Sequence, residues 1–124
     1  MLPFTVVVRP GRSLHDQVVF AATKAVVTGQ LQPGDRFPPV RVLSQELRIN
    51  PNTAQKIVTT LIERGLLEAR PGIGTTVAAW RPASAGRRAS LVDPVERLVV
   101  YARQLGFSLA DVIDAVRREW KDEK

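Results

Sequence analysis

The segment Arg48-Ile-Asn-Pro-Asn-Thr-Ala-Gln-Lys56 decides the fold, because it separates two stretches of apolar residues with helical spacing. Asn50 can accept a hydrogen bond from an unpaired backbone N–H at a helix start, and Pro51 suits the first helical position. The apolar spacing predicts one helix over about 39–47 and another from about 51 to 64. Two helices separated by only about three residues must cross steeply, which is the helix-turn-helix arrangement.

The flanking sequence predicts one more helix and a hairpin. Apolar residues spaced by three and four predict a first helix over about 14–28, with Ser13 as its cap and Gly29 at its end. Short β-prone pieces at 66–68 and 75–78 are joined by a glycine-rich tip, which predicts a hairpin. Three helices followed by a hairpin make a winged helix, so the expected fold class is mainly α with a small β-hairpin.

The composition divides the chain into four parts. An extended N-terminal arm is expected at 1–11, the winged helix-turn-helix at 12–80, a linker without large apolar residues at 81–90, and a two-helix segment at 91–124.

Two capping-box patterns predict where the last two helices begin. Asp93-Pro94-Val95-Glu96 starts one of them, and Ser108-Leu109-Ala110-Asp111 starts the other. Asp111 is interpreted as a first-turn acid that complements the helix dipole. An apolar stripe follows both helices and is expected to pair two copies of the chain, although it could instead cover the winged helix of the same chain. Its members are Val95, Leu98, Val99, Ala102, Leu105, Leu109, Val112, Val116 and Trp120.

The composition excludes several kinds of chemistry. The chain has no cysteine, so a thiolate metal site and a cysteine nucleophile are excluded. Its single histidine, His15, leaves too few ligands for a common zinc site and is interpreted as an ordinary surface residue. We therefore expect no catalytic residue, metal or cofactor, and no enzyme. The sequence shows no apolar run of membrane-spanning length and no signal peptide, so a cytoplasmic protein is expected.

Positive charge is concentrated in the first two thirds of the chain. Residues 1–80 carry 9 basic and 5 acidic side chains, and residues 81–90 carry three arginines and no acid. Residues 91–124 have a net charge of −1, and the whole chain has a net charge of +6. A basic domain suggests a polyanionic partner, most often nucleic acid. The alternative is that this charge only keeps the protein soluble.

The predicted third helix carries a polar, mostly uncharged face opposite its apolar stripe: Asn52, Thr53, Gln55, Lys56 and Thr59, next to Asn50. An ordinary solvated face is built from Glu, Lys and Arg, which favour helix. Asn and Gln can bond an adenine edge in bidentate fashion, and Thr offers a hydroxyl and a methyl for thymine. Within a helix-turn-helix, this face predicts contact with DNA bases.

Two further groups are expected to contact the DNA backbone and the minor groove. Arg36 and Arg41 flank the start of the second helix, which crosses the DNA backbone in this arrangement, although surface ion pairs with Asp35 or Glu46 would also explain them. At the hairpin tip, Arg70 with Gly72 and Gly74 could enter a narrow minor groove, although a plain turn also needs glycine.

Four separated motifs resemble the GntR-type winged helix-turn-helix domain over about residues 12–79, and the short tail resembles the YtrA-type subfamily. They are Val27-Thr-Gly-Gln-Leu-Gln-Pro-Gly-Asp-Arg-Phe-Pro-Pro-Val-Arg-Val-Leu43, Asn50-Pro-Asn-Thr53, Gly65-Leu-Leu and Gly72-Ile-Gly-Thr-Thr-Val77.

The resemblance implies a bacterial transcription regulator, usually a repressor, that binds a palindromic double-stranded DNA operator as a homodimer. The family's DNA contacts then fall on Arg41, Asn50, Asn52, Thr53 and Gln55, and on the wing around Gly72. A small-molecule effector is left open, without a residue that indicates its class. The alternative function is a winged helix that binds proteins rather than DNA, which the charge distribution disfavours.

At several positions this sequence differs from the residues that are usual in the family. Many members have arginine at the positions of Pro51 and Gln55, so a different base preference is expected. The family's turn often has glycine where Arg48 stands, and a left-handed Arg48 would cost on the order of 1 kcal/mol. Pro39-Val40 replaces the usual Ser-Glu, which removes a hydroxyl. Trp80 is interpreted as a packing anchor.

Overall fold

The computed structural model describes residues 2–81 and 87–121, without the side chains of 87–89 and 121. The chain divides into two compact units, Met1–Trp80 and Arg81–Lys124. Within the described residues the first unit has three helices and a two-stranded sheet, and the second has two helices. The elements are α1 (Leu14–Val27), α2 (Val40–Leu47), α3 (Pro51–Glu63), β1 (Leu67–Arg70), β2 (Gly74–Val77), α4 (Arg87–Gln104) and α5 (Leu109–Lys121).

Helix α1 has the predicted cap and the predicted end. The Ser13 hydroxyl accepts a hydrogen bond from the Asp16 backbone N–H at 3.2 Å. Gly29 lies just beyond the helix with a φ of 85°, a conformation that glycine adopts without a Cβ penalty. The apolar side of α1 is buried through Val18, Val19, Ala22, Ala25 and Val26.

The turn between α2 and α3 is built as the sequence predicts. Asn50 Oδ1 accepts from the Asn52 backbone N–H at 2.7 Å, and Pro51 occupies the first turn of α3. Arg48 closes α2 in the left-handed region, with φ 55° and ψ 50°. This conformation lets the chain reverse direction within three residues, so the two helices pack directly on each other.

The prediction that α2 begins at Pro39 is wrong by one residue. Pro39 is the residue before the helix, and α2 begins at Val40. No side chain caps the first turn of α2, because a proline side chain has no atom that can accept a hydrogen bond.

The hairpin is antiparallel and pairs Leu67 with Val77 and Arg70 with Gly74. Its first strand begins one residue later than predicted, because the Leu66 N–H bonds to the Leu61 carbonyl at the end of α3. Residues 34–37 run along the other side of β2, where the Phe37 N–H bonds to the Thr75 carbonyl at 2.9 Å. These bonds join the wing to the loop ahead of α2 and confirm the winged-helix fold class.

The N-terminal arm enters the core, which the sequence did not show. Phe4 is buried, and its ring stacks on Phe37 with centroids 5.6 Å apart. Further along, the Arg9 N–H donates to Gln17 Oε1 at 2.6 Å, and Gln17 Nε2 donates back to the Arg9 carbonyl at 3.1 Å. The described part of the arm, residues 2–11, therefore lies against the domain at two places.

The core of the first unit lies under α3. Leu43, Ile57, Leu61, Val18 and Val77 are its largest fully buried side chains. α3 packs on α1, α2 and β1, so its inner face is sealed from solvent. Trp80 is half-buried against this core, and its indole N–H donates to the Val26 carbonyl at 3.3 Å, as expected of a packing anchor.

The predicted start of α4 is wrong. Residues 87–92, ahead of the expected cap Asp93, are already helical, and Pro94 lies inside the helix. Arginine, alanine and leucine are strong helix formers, so the turns before Pro94 form although proline contributes no N–H. The predicted linker therefore overlaps α4 at 87–90, and its residues 82–86 lie outside the described residues.

The predicted start of α5 is confirmed. The Ser108 backbone N–H donates to Asp111 Oδ2 at 2.9 Å, and the Asp111 N–H donates to the Ser108 hydroxyl at 3.1 Å. The pKa of the Asp111 carboxyl lies below its ordinary value. The main cause is the hydrogen bond from the Ser108 backbone N–H, and the hydrogen bond with the Ser108 side chain contributes less.

Candidate nucleic-acid interface

Helix α3 has two chemically distinct sides. Ala54, Ile57, Val58 and Leu61 are buried, whereas Asn52, Gln55, Lys56 and Thr59 are exposed and Thr53 is half-buried. Because the inner side packs on three other elements, the orientation of the helix is fixed by its core contacts. The exposed side therefore presents amides and hydroxyls outward on a rigid support.

Two hydrogen bonds organise this exposed side. Asn50 uses its side-chain oxygen as the cap of α3, which leaves its amide N–H groups as donors. One turn further, Gln55 Nε2 donates to Thr59 Oγ1 at 3.3 Å. Gln55 retains an amide oxygen and one N–H, so it still has one acceptor and one donor for a base edge.

Arg36 and Arg41 are exposed on either side of the start of α2. The Asp35 carboxylate, one of the two expected ion-pair partners, is engaged by the backbone. Asp35 Oδ2 accepts the Gln32 backbone N–H at 2.8 Å. The backbone of Arg36 is held against Thr76 of the wing by an antiparallel bridge.

The wing tip is exposed and its backbone needs glycine. Gly72 and Gly74 have φ of 78° and 112°, and an added Cβ would meet nothing within 4 Å at either position. The constraint at both positions is therefore conformational. Arg70 pairs with Glu68 at 2.9 Å, but both side chains are about half exposed, so this ion pair is weak and can exchange for a phosphate.

The prediction that His15 is an ordinary surface residue is wrong. Its ring is half-buried and bridges two helices: Nε2 lies 3.1 Å from the Thr60 hydroxyl of α3, and Nδ1 lies 3.1 Å from Asp16 Oδ1. Thr60 lies 45 residues further along the chain, so no local pattern could show this contact. His15 therefore helps to position α3 on α1.

The expected dimerisation stripe is largely open to solvent. Its large members on α4 and α5 are exposed, and Val112 is half-buried. Ala102 is the exception, because only 5% of it is exposed in the single chain. It therefore adds little to the exposed apolar surface, and its assignment to the dimer surface stays a prediction. Ile113, beside Val112 on α5, continues the exposed apolar surface, as do Leu91 and Val92 ahead of the predicted start of α4.

Other classes of site find no support in the described residues. Residues 2–81 and 87–121 contain no group of three or more His, Cys, Asp or Glu side chains that could hold a metal ion. None of the helices described is long and apolar enough to cross a membrane.

Comparisons with known proteins agree with this geometry. The sequence matches the family described as "Bacterial regulatory proteins, gntR family" over residues 14–77, which is more than half of the chain. It is similar to the HTH-type transcriptional repressor YtrA of Bacillus subtilis (strain 168), with 25% identity over 118 residues, or 94% of this chain and 91% of the relative.

The solved structures that the chain resembles include the following two. A transcriptional antiterminator from Listeria monocytogenes EGD-e has a TM-score of 0.82 at 21% identity, covering 97% of this chain and 91% of the other, which shows a common fold. AraR(DBD) in complex with operator ORX1 has a TM-score of 0.51 at 25% identity, covering 60% of this chain and 95% of the other.

Proposed function

Because this chain belongs to the gntR family of bacterial regulatory proteins, we propose that it represses transcription in the cytoplasm as a homodimer on a palindromic DNA operator. As a member of this family it is a transcriptional regulator and not an enzyme. The observation that carries the proposal is the side of α3 that presents amides and hydroxyls outward while its opposite side is sealed in the core.

We assign base reading to Asn52, Thr53, Gln55 and Thr59. A helix fits the major groove, where an amide side chain can donate to and accept from one adenine, and a threonine methyl can contact thymine. Asn50 and Lys56 flank this set. Asn50 caps α3 and keeps its amide N–H groups as donors, and Lys56 adds a positive charge. AraR(DBD), similar in structure to 60% of this chain, was solved with an operator, which supports this choice of partner.

We assign phosphate contacts to Arg36 and Arg41 and minor-groove contact to Arg70, Gly72 and Gly74 of the wing. Phosphate contacts give affinity and register without sequence preference, so these residues differ in kind from the side chains of α3. The two classes can therefore be separated by measurement.

We propose that the exposed apolar sides of α4 and α5 hold two chains together. Valine, leucine and tryptophan side chains in helical register are exposed in the single chain, and large apolar patches of this kind mark association surfaces. A two-fold dimer presents two α3 helices to two half-sites about one helical turn apart. The similarity to a repressor of Bacillus subtilis supports the repressing direction.

Selection from a randomised duplex library tests the proposal and identifies the operator in the same experiment. We expect a palindrome with half-sites about 10 base pairs apart. Gln55→Ala should cost about 1–3 kcal/mol of discrimination at one base pair of each half-site. Arg41→Ala should weaken binding to all sequences alike and lower the salt slope by about one per protomer.

Matched controls lie in the second unit. Gln104→Ala and Arg118→Ala remove exposed side chains of the same types, and both should leave operator binding unchanged. Uniform binding of the wild type to every duplex would refute sequence specificity. Binding without any salt dependence would favour the winged helix as a protein-binding module.

A further inference from the structure

A groove runs between the N-terminal arm and α1, on the first unit. It has a volume of about 770 Å³, within the range of small-molecule sites, and is open along one side. Gln17 fixes the wall formed by the arm, because its side chain bonds to the Arg9 backbone in both directions and also to the Arg12 carbonyl at 3.2 Å. These bonds hold the arm beside α1 and define the groove.

The centre of the groove is apolar. Phe20 of α1 is 69% exposed and Val7 of the arm is 66% exposed, with Val19 buried beneath them. An exposed phenylalanine on α1 adds nothing to the core of the unit. A ligand with an aliphatic or aromatic body would remove this surface from water.

The rim of the groove is positively charged. Arg9 comes from the arm, Arg12 from the turn ahead of α1, and Arg64 from the C-terminal end of α3. Among the described residues that line the groove, Asp16 is the only acidic one. Such a rim attracts an anion, and arginine is well suited to bind a carboxylate through two parallel hydrogen bonds.

We propose that this groove binds an amphipathic carboxylate, a small molecule with an apolar body and one anionic head. The apolar body covers Phe20 and Val7, and the head lies among the arginines. A DNA backbone would satisfy the rim but leave the phenylalanine in water, and a neutral apolar molecule would leave the positive charge of the rim unneutralised. The proposal does not depend on DNA binding.

Isothermal titration calorimetry with the full chain tests the proposal. The probes are octanoate and 2-naphthoate as carboxylates with aliphatic and aromatic bodies, octanol as the neutral analogue, and acetate as the head alone. We expect saturable binding of at least one of the two long carboxylates, with a dissociation constant of roughly 0.1–1 mM because the groove is half open. Octanol and acetate should bind at least about tenfold more weakly.

Variants locate the binding. Phe20→Ser and Arg64→Gln, both at exposed positions, should each weaken binding of the carboxylate about fivefold or more. The matched controls Phe107→Ser and Arg118→Gln lie in the second unit and should leave it unchanged. Circular dichroism confirms that each variant is folded.

Four results would overturn the proposal. The first is that neither long carboxylate shows saturable binding up to about 10 mM, because a specific site should bind more tightly than that. The second is that octanol or acetate binds as tightly as the carboxylates. The third is that Phe20→Ser binds the carboxylate as well as the wild type does, and the fourth is that Phe107→Ser loses as much binding as Phe20→Ser.

Discussion

Arg48 shows how one residue can be kept in an unfavourable conformation. Among the described residues it is the only non-glycine residue with a positive φ. Its N–H bonds to the Gln45 carbonyl, and the Ile49 N–H bonds to the Ser44 carbonyl. These bonds close α2 and aim the chain at Asn50. The turn requires the left-handed backbone, whereas nothing in its contacts requires an arginine side chain.

Arg48→Gly should therefore stabilise the protein by about 0.5–1 kcal/mol. Glycine removes the Cβ penalty of the left-handed region, and part of this gain is offset by its greater freedom in the unfolded chain. Urea unfolding followed by circular dichroism measures the change. Arg64→Gly is the control, since Arg64 ends α3 at a φ of −84° and gains nothing from glycine. Equal stabilisation by both variants would contradict the explanation.

At the scale of elements, the wing is joined to the loop ahead of α2 and contains a buried polar atom. Thr76 is buried on β2, and its hydroxyl has no hydrogen-bond partner in the described part of the chain. The neighbouring Thr75 is only half-buried. An unsatisfied buried hydroxyl costs about 1–3 kcal/mol.

Thr76→Val should raise the free energy of unfolding by about 1 kcal/mol, because valine has the same branched shape without the hydroxyl. Thermal unfolding measures the gain. Thr75→Val, at the less buried neighbour, should change stability by less than about 0.5 kcal/mol. A lower melting temperature for Thr76→Val would mean that the hydroxyl is satisfied in solution.

Elements whose signals are local could be predicted from the sequence. Ser13, Asn50 and Ser108 cap helices through bonds to residues within three positions, so a short pattern contains all the partners. The Asp93–Glu96 pattern is equally local but lies within α4, because the preceding residues already favour helix. Short patterns thus predict caps better than they predict where a long helix begins.

Features that depend on distant partners could not be predicted. Phe4 reaches Phe37, and His15 reaches Thr60, across long stretches of chain. The polar side of α3 was visible because its apolar counterpart repeats at helical spacing. The groove beside Phe20 was not, since its arm and helix are brought together by contacts of the folded chain, among them the bonds of Gln17 to the Arg9 backbone.

At the scale of the whole molecule, the two units differ in charge and in exposed surface. Residues 1–80 are basic, whereas 91–124 have a net charge of −1 and carry exposed apolar side chains on both helices. In the proposed function, DNA contact belongs to the first unit and association to the second. Under the proposed function, each unit can therefore be disabled separately.

Leu98→Glu should convert the dimer to a monomer, because two carboxylates would be buried against apolar side chains at the two-fold interface. Analytical ultracentrifugation measures the mass, and operator affinity should fall with it. Val100→Glu is the control: Val100 is also exposed, but it lies about 200° around α4 from Leu98, at 100° per residue. A dimer that survives Leu98→Glu would contradict the assigned surface.

The chain has two tryptophans, and the structure places one in each unit. The indole of Trp80 is half-buried and bonded to a carbonyl, whereas Trp120 is 73% exposed. In the single chain the two fluorophores should therefore emit at different wavelengths, Trp80 towards the blue and Trp120 towards the red. A change confined to the red edge of the spectrum would report on the C-terminal helices, and one confined to the blue edge would report on the winged helix, without any added label.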